Sequence, residues 1–307
     1  MKKLIIDILI FSVITLTIIS CSSDDRKLAG DKLVVVSTIT IINDMVKNIG
    51  GDKVEAISIC GIGFDPHTYK SVPGDSKIIA SADIVFMNGF GLEGWIEKLI
   101  RAAGSNKPVF AVTNGIEPLR DDRGHGDPDP HCWFNARLAK VYVDNILSGL
   151  IEVDPENEDV FSQNAIAYKL QLDSLHSYAS EMISQIPEQY RTLVTSHDAF
   201  RYFGEAYGIK VEALQGISTE AKAQTADVAE LVDLIKEFNL PAVFIETSVN
   251  PKLLEQIAAE TQAKIGGVLF SDSIGDEGTA GGSYIGAFKY NVETITNALK
   301  VNSVTGK

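Results

Sequence analysis

Between Asp154 and Pro187, apolar residues recur at Phe161, Ala165, Tyr168, Leu172, Leu175, Ala179, Met182 and Ile186, in alternating steps of four and three. That spacing is the stripe of a helix with one buried face. Asp154 suits the cap, Pro155 the first turn, and Pro187 the stop. Residues 154–187 therefore predict one helix on the order of 45 Å long at 1.5 Å per residue, enough to reach from one lobe to another. Every other element has to be arranged on either side of it.

The flanking segments read alike. Before the long helix, β-branched or apolar runs at 32–38, 54–60, 82–87 and 108–112 alternate with helical stretches at 43–49, 69–82, 92–103 and 139–150. After it, strands are expected at 192–196, 210–213, 242–246 and 264–270, and helices at 199–207, 225–238, 251–261 and 290–299. Asp75 and Lys77 are expected on the outer side of their helix. Strand alternating with helix at these lengths argues for βαβ units and parallel pairing. The fold class is α/β, with two lobes, each a mostly parallel β-sheet flanked by helices, joined by one long rigid α-helix. The expected boundaries are an N-terminal lobe over 32–153, the linking helix over 154–187 and a C-terminal lobe over 188–307. A chain of 307 residues is long enough to give each lobe a core of its own.

Residues 1–20 are a different material. Lys2 and Lys3 precede an apolar run from Leu4 to Ile19, interrupted by Asp7 and a few hydroxyl residues. This is the layout of an export signal, too short to span a bilayer comfortably. Ile18-Ile19-Ser20-Cys21 resembles a bacterial lipobox, with Cys21 as the lipidated first residue and 21–31 as a polar tether. The expected location is outside the cytoplasm, lipid-anchored to a bacterial membrane on its periplasmic or cell-surface face. A net charge of -14 argues against nucleic acid or an anionic membrane surface as ligand and weakly favours approach of cations.

Four residues carry chemistry: His67, His131, His197 and Asp272. They are separated by 64, 66 and 75 positions, two in each half, and each follows a strand-like run or closes a turn-rich loop. His67 and His131 both stand in Asp-Pro-His with an aromatic two residues on, Tyr69 and Trp133. Proline stiffens the backbone that aims each imidazole, and the aromatics are placed to wall the site. Taken alone, each histidine reads as structural and Asp272 as a turn cap; together they form a donor set suited to a borderline-soft divalent cation. Glu246 reads either as an acceptor that orients a ligand histidine or as a satisfied polar residue at a strand end. Cys60 and Cys132 read as buried free thiols, with a bridge as the alternative. His176 reads as a packing residue on the long helix, and the polar loop 120–130, with His125, as a surface connection.

From residue 33 to residue 299 the chain resembles the cluster A-I, zinc/manganese-type metal-binding proteins of bacterial ABC transporters. The stretches that carry the resemblance are Asp65-Pro66-His67-Thr68-Tyr69-Lys70, Asp129-Pro130-His131-Cys132-Trp133, Ser196-His197-Asp198-Ala199-Phe200-Arg201-Tyr202-Phe203, Gly216-Ile217-Ser218-Thr219-Glu220, Phe244-Ile245-Glu246-Thr247-Ser248 and Ser271-Asp272-Ser273-Ile274-Gly275. The resemblance implies a single Zn²⁺ or Mn²⁺ held between two lobes at the positions of His67, His131, His197 and Asp272. It also implies delivery of that ion to an ABC permease in the cytoplasmic membrane by a monomeric, lipid-anchored receptor that is not an enzyme. Zinc-devoted members often carry a long His-rich loop, which here holds only His125, and manganese-committed members often have Glu in place of His197. The set of three His and one Asp stands between them. The alternatives from other classes are a surface adhesin (cell adhesion) and a metallohydrolase; there is no HExxH, and a closed four-ligand site suits binding better than turnover. Release of the ion is expected to involve the glycine-rich loop after Asp272.

Overall fold

A computed structural model of the chain describes residues 32–120 and 126–300. The export segment, the whole tether with Cys21, and His125 lie outside the described residues.

In the first lobe, β1 (Leu33–Ser37), β2 (Val54–Ser58), β3 (Ile84–Met87) and β4 (Val109–Ala111) form one parallel sheet in the order β2-β1-β3-β4. Four helices accompany it: α1 (Thr40–Gly50), α2 (Pro73–Ser81), α3 (Ile96–Ala103) and α4 (Ala139–Val153). Neighbouring Val35 and Val36 are both wholly buried, on opposite faces of β1. Val35 joins Ile42 and Met45 of α1 and Tyr142 and Ile146 of α4, whereas Val36 joins Ile79 of α2 and Leu99 of α3. A strand covered on both faces needs a continuous apolar run, not an alternating one. Each such burial stabilises by about 1.5–3 kcal/mol. Helix α4 lies so close to the sheet that a Cβ on Gly149 would meet Phe86 at 2.8 Å.

The linking helix α5 runs over Glu158–Ser184, 27 residues and so about 40 Å. It begins later than expected. Pro155–Asn157 form a 3-10 turn, and Asp154 caps no helix: its Oδ2 accepts from Asn157 Nδ2 at 2.7 Å. Near its end the buried residue is Ile183, with Met182 only partly covered, so the stripe drifts as a 3.6-residue period must. The buried stripe lies within one continuous core that extends from Leu33 in the first lobe to Leu299 in the second.

In the second lobe β5 (Thr192–His197) pairs in parallel with β6 (Lys210–Gln215), and β7 (Ala242–Glu246) with β8 (Lys264–Leu269). β7 packs beside β5 through side chains such as Glu246, whose Oε1 accepts from Ser196 N, so where one sheet was expected this lobe has two two-stranded parallel sheets side by side, β5-β6 and β7-β8. The helices are α6 (Arg201–Tyr207), α7 (Thr225–Glu237), α8 (Lys252–Thr261) and α9 (Tyr284–Leu299). Helix α9 starts six residues earlier than expected, where Ser283 Oγ accepts from Gly286 N at 3.1 Å. Glycines near that start mask it in the sequence, because the cap lies inside a turn-like composition. Asp75 corrects a second expectation: it is buried, not outward, and its Oδ2 accepts from Val72 N and from Tyr69 Oη. Among the described residues no helix is long and apolar enough to cross a membrane.

The carboxyl ends of the strands of both lobes meet in one crevice, the usual ligand position in open α/β sheets. Side chains cross it directly. Trp133 Nε1 donates to Ser271 O at 3.1 Å, Gly63 N to Ser273 Oγ at 3.0 Å and Ile274 N to Thr40 Oγ1 at 3.0 Å. The loop after Asp272 is thus tied to the first lobe, and also to itself through Gly275 N and Gly281 O at 2.8 Å. A Cβ on Gly281 would meet the Phe270 ring at 2.3 Å, so the glycine there serves close packing.

Candidate metal centre

The four residues singled out in the sequence come together. One nitrogen or oxygen from each of His67, His131, His197 and Asp272 lies within 4.8 Å of the others. The ring centroids are 5.3 Å apart for His67 and His131, 5.3 Å for His131 and His197, and 5.9 Å for His67 and His197. His67 Nε2 and His131 Nε2 approach to 3.2 Å, and the Asp272 carboxylate stands 3.5 Å from the Nε2 atoms of His131 and His197. His131 and His197 have no exposed surface, Asp272 is 1% exposed and His67 is 9% exposed.

Local structure aims each ring. In both Asp-Pro-His repeats the aspartate accepts the backbone N–H two residues on: Asp65 Oδ1 from His67 N at 2.9 Å, and Asp129 Oδ1 from His131 N at 3.0 Å. These are Asx-turns, with proline fixing the middle residue. Asp129 Oδ1 also faces His131 Nδ1 at 2.8 Å, which puts the proton on Nδ1 and leaves the Nε2 lone pair toward the centre. His197 ends β5, where Glu246 Oε1 accepts from both Ser196 N and His197 N at 2.9 Å. Glu246 Oε2 lies 2.6 Å from His197 Nδ1, close as an ion pair though out of line for a hydrogen bond. His197 Nε2 and Asp272 Oδ1 are buried without a hydrogen-bond partner. Burying such atoms is costly unless something accepts their lone pairs, and a divalent cation does so.

Burial opposes charge on all three imidazoles, and the neighbours decide the result. At His67 burial prevails, reinforced by the two other histidines, and the pKa falls to about 4. At His131 the neighbouring carboxylates of Asp129 and Asp272 outweigh burial and raise it. At His197 the carboxylates of Glu246 and Asp272 outweigh burial and raise it well above the ordinary value. Burial pushes the Asp272 carboxyl up, but His197 and His131 hold it well below the usual carboxylate range.

A family description, the zinc-uptake complex component A, periplasmic, matches residues 35–298. The chain belongs to this family. It is 40% identical to the manganese-binding lipoprotein MntA of Bacillus subtilis over 98% of this chain and all of that protein. It is 34% identical to the manganese ABC transporter substrate-binding lipoprotein PsaA of Streptococcus pneumoniae over 97% and 99% of the two chains. Among solved structures, the periplasmic zinc binding protein TroA from Treponema pallidum superposes with a TM-score of 0.84 at 37% identity, covering 88% of this chain and 99% of that chain.

The expected supporting residues fare differently in this family member. Trp133 packs edge-on against His131 at 5.1 Å while its indole reaches the carbonyl before Asp272, so it ties two of the four clustered residues together. Tyr69 stands one layer farther out: its hydroxyl goes to Asp75 and its ring to Trp95, whose Nε1 holds Pro66 O at 2.9 Å. Cys60 and Cys132 are buried free thiols, both pushed to about 12 by burial, and neither joins the cluster. His176 packs on Tyr207 as a side chain of α5. Asp65 and Asp129 escaped the sequence reading as functional residues, although both repeats display them two positions before the histidine.

Proposed function

We propose that this chain is the extracytoplasmic substrate-binding protein of an ABC importer, capturing Zn²⁺ or Mn²⁺ as cargo and passing it to a permease in the cytoplasmic membrane. The ligands in this reading are Nε2 of His67, His131 and His197 and the carboxylate of Asp272. Cys21 carries the lipid that keeps the chain at the membrane. The lobes 32–153 and 188–307 supply two ligands each, with 154–187 between them, and one chain is enough because it contains the whole donor set. The observation that carries the reading is the meeting of four buried donor atoms within 4.8 Å, two of them lacking any hydrogen-bond partner. Family membership and the metal-binding lipoproteins among the relatives support it.

Capture is coordination: neutral imidazoles and an ionised carboxylate replace the water shell of the ion. Asp129 holds the His131 ring with Nε2 toward the centre, and Glu246 holds the backbone that carries His197. Imidazole softness and the divalent affinity order make isolated zinc the tighter ligand, whichever ion the cell supplies. The test is metal content after loading the purified protein with equal zinc and manganese and dialysing extensively. One equivalent of metal, lost in His197→Ala, is expected. A wild-type chain that retains none would sink the reading.

A further inference from the structure

Two residues beyond the end of β7 the chain places Ser248 beside the Asp272 carboxylate. Ser248 Oγ is 2.9 Å from Asp272 Oδ2 and 2.8 Å from Ser271 Oγ. An ionised carboxylate only accepts, so Ser248 donates to Oδ2 and receives the Ser271 proton in return. The direct approach of Ser271 Oγ to Oδ2 is longer, at 3.4 Å. The two oxygens lie equally near the imidazoles, Oδ1 3.5 Å from His131 Nε2 and Oδ2 3.5 Å from His197 Nε2, but only Oδ1 is buried without a hydrogen-bond partner. One carboxylate therefore presents two unequal oxygens. Ser248 also borders a cavity of about 500 Å³ that Asp65, Thr68, Ser196 and Thr219 help to line, so its hydroxyl stands between open space and the carboxylate.

We propose that Ser248 sets how many oxygens Asp272 gives to the cation, and through that the preference of the centre for zinc over manganese. The inference rests on the metal-binding reading above and goes beyond it, because it concerns a residue that touches no cation. With Oδ2 engaged by a hydroxyl, Asp272 contributes Oδ1, and three imidazoles plus one oxygen make the four donors that zinc prefers. Without the hydroxyl, Oδ2 is a stronger donor and the carboxylate is free to chelate. A fifth, hard donor favours manganese, which takes more oxygen ligands than zinc. Ser248 is thus a positioning residue acting through Asp272.

The test compares the full-length wild type with Ser248→Ala, Ser248→Thr and Ser271→Ala, using Zn²⁺, Mn²⁺ and Co²⁺ as separate probes. Cobalt reports donor number directly, since four-coordinate Co²⁺ absorbs visible light far more strongly than five- or six-coordinate Co²⁺. Ser248→Ala is expected to weaken the cobalt bands and to lower the zinc-to-manganese affinity ratio about tenfold, in the range for losing a group that orients a ligand. Ser248→Thr keeps the hydroxyl and is expected to retain both wild-type properties; Ser271→Ala should fall between. A wild-type cobalt spectrum in Ser248→Ala, or a parallel loss of zinc and manganese affinity with an unchanged ratio, would overturn the inference and leave the proposed function standing. A wild type that binds none of the three ions would overturn both.

Discussion

The two Asp-Pro-His repeats have the same local sequence and end in opposite electrostatic states. Both form an Asx-turn with the histidine N–H. Asp129 then closes back on its own histidine through Nδ1, inside a fully buried site. Asp65 instead turns its second oxygen to Thr68 Oγ1 at 2.9 Å and to the Thr219 hydroxyl of the other lobe. The consequence is a His131 pKa raised by its carboxylates and a His67 pKa lowered to about 4 by burial. The motif fixes the direction of each imidazole. Its charge is decided by which carboxylates tertiary packing brings against the ring.

Breaking the carboxylate contact at each repeat should separate them most. Asp129→Asn leaves the turn acceptor but removes the charge behind His131, and zinc affinity is expected to fall roughly 10–100-fold in a chelator competition. Asp65→Asn is expected to cost only about threefold, of the order of one weak hydrogen bond. Equal losses would mean that the two aspartates serve only as turn formers.

Proton linkage sharpens the same contrast. Unfolded, a histidine titrates near 6.5; His67 in the fold titrates near about 4. Between those values the unfolded chain binds more protons, so the His67 contribution to metal-free stability is complete above pH 6.5 and drains as pH falls toward 4. His131 and His197 run the other way: their contributions are complete below pH 6.5 and are lost as pH rises through their raised values. The His67 shift is worth on the order of 3 kcal/mol. Denaturant titrations of the metal-free protein at pH 7 and pH 5 should therefore show a smaller acid loss in His67→Gln than in wild type. Metal affinity has one sign throughout, falling as pH drops, because a cation must displace the protons on His131 and His197. Proton release on zinc binding, measured by calorimetry in buffers of different ionisation enthalpy, should persist in His67→Gln; its disappearance would place the displaced proton on His67.

The smallest effect belongs to the aromatics that follow the two histidines. Trp133→Phe loses one cross-lobe hydrogen bond to Ser271 O and should destabilise by about 1 kcal/mol. Tyr69→Phe loses its bond to Asp75, outside the ligand cluster, and should leave metal affinity unchanged within twofold by the same competition assay. A Tyr69→Phe protein with the larger loss in metal affinity would reverse the roles assigned to the two rings.

Much of the fold could be read directly from the chain. Continuous β-branched runs such as that of β1 require coverage on both faces, and the four-three stripe from Phe161 onward requires a helix with one buried side. Those are local periodicities, and they survive in any fold the chain adopts. What failed was local in another way. Asp75 looked like an outward helix residue because only the packing of Tyr69 and Val72 gives its carboxylate partners. The start of α9 was hidden because a cap inside a glycine-rich loop has the composition of a turn.

The sequence by itself determined the donor types, the stiff turns that carry two of them and the strand ends that carry the others, since these depend on residues within a few positions of one another. Only the tertiary structure decided that Glu246 closes on His197, that burial lowers the His67 pKa while carboxylates raise that of His197, and that Ser248 meets Asp272. Those contacts join residues from different elements, in the case of Glu246 and His197 almost fifty positions apart, and electrostatics in a buried site follows distance through space, not along the chain.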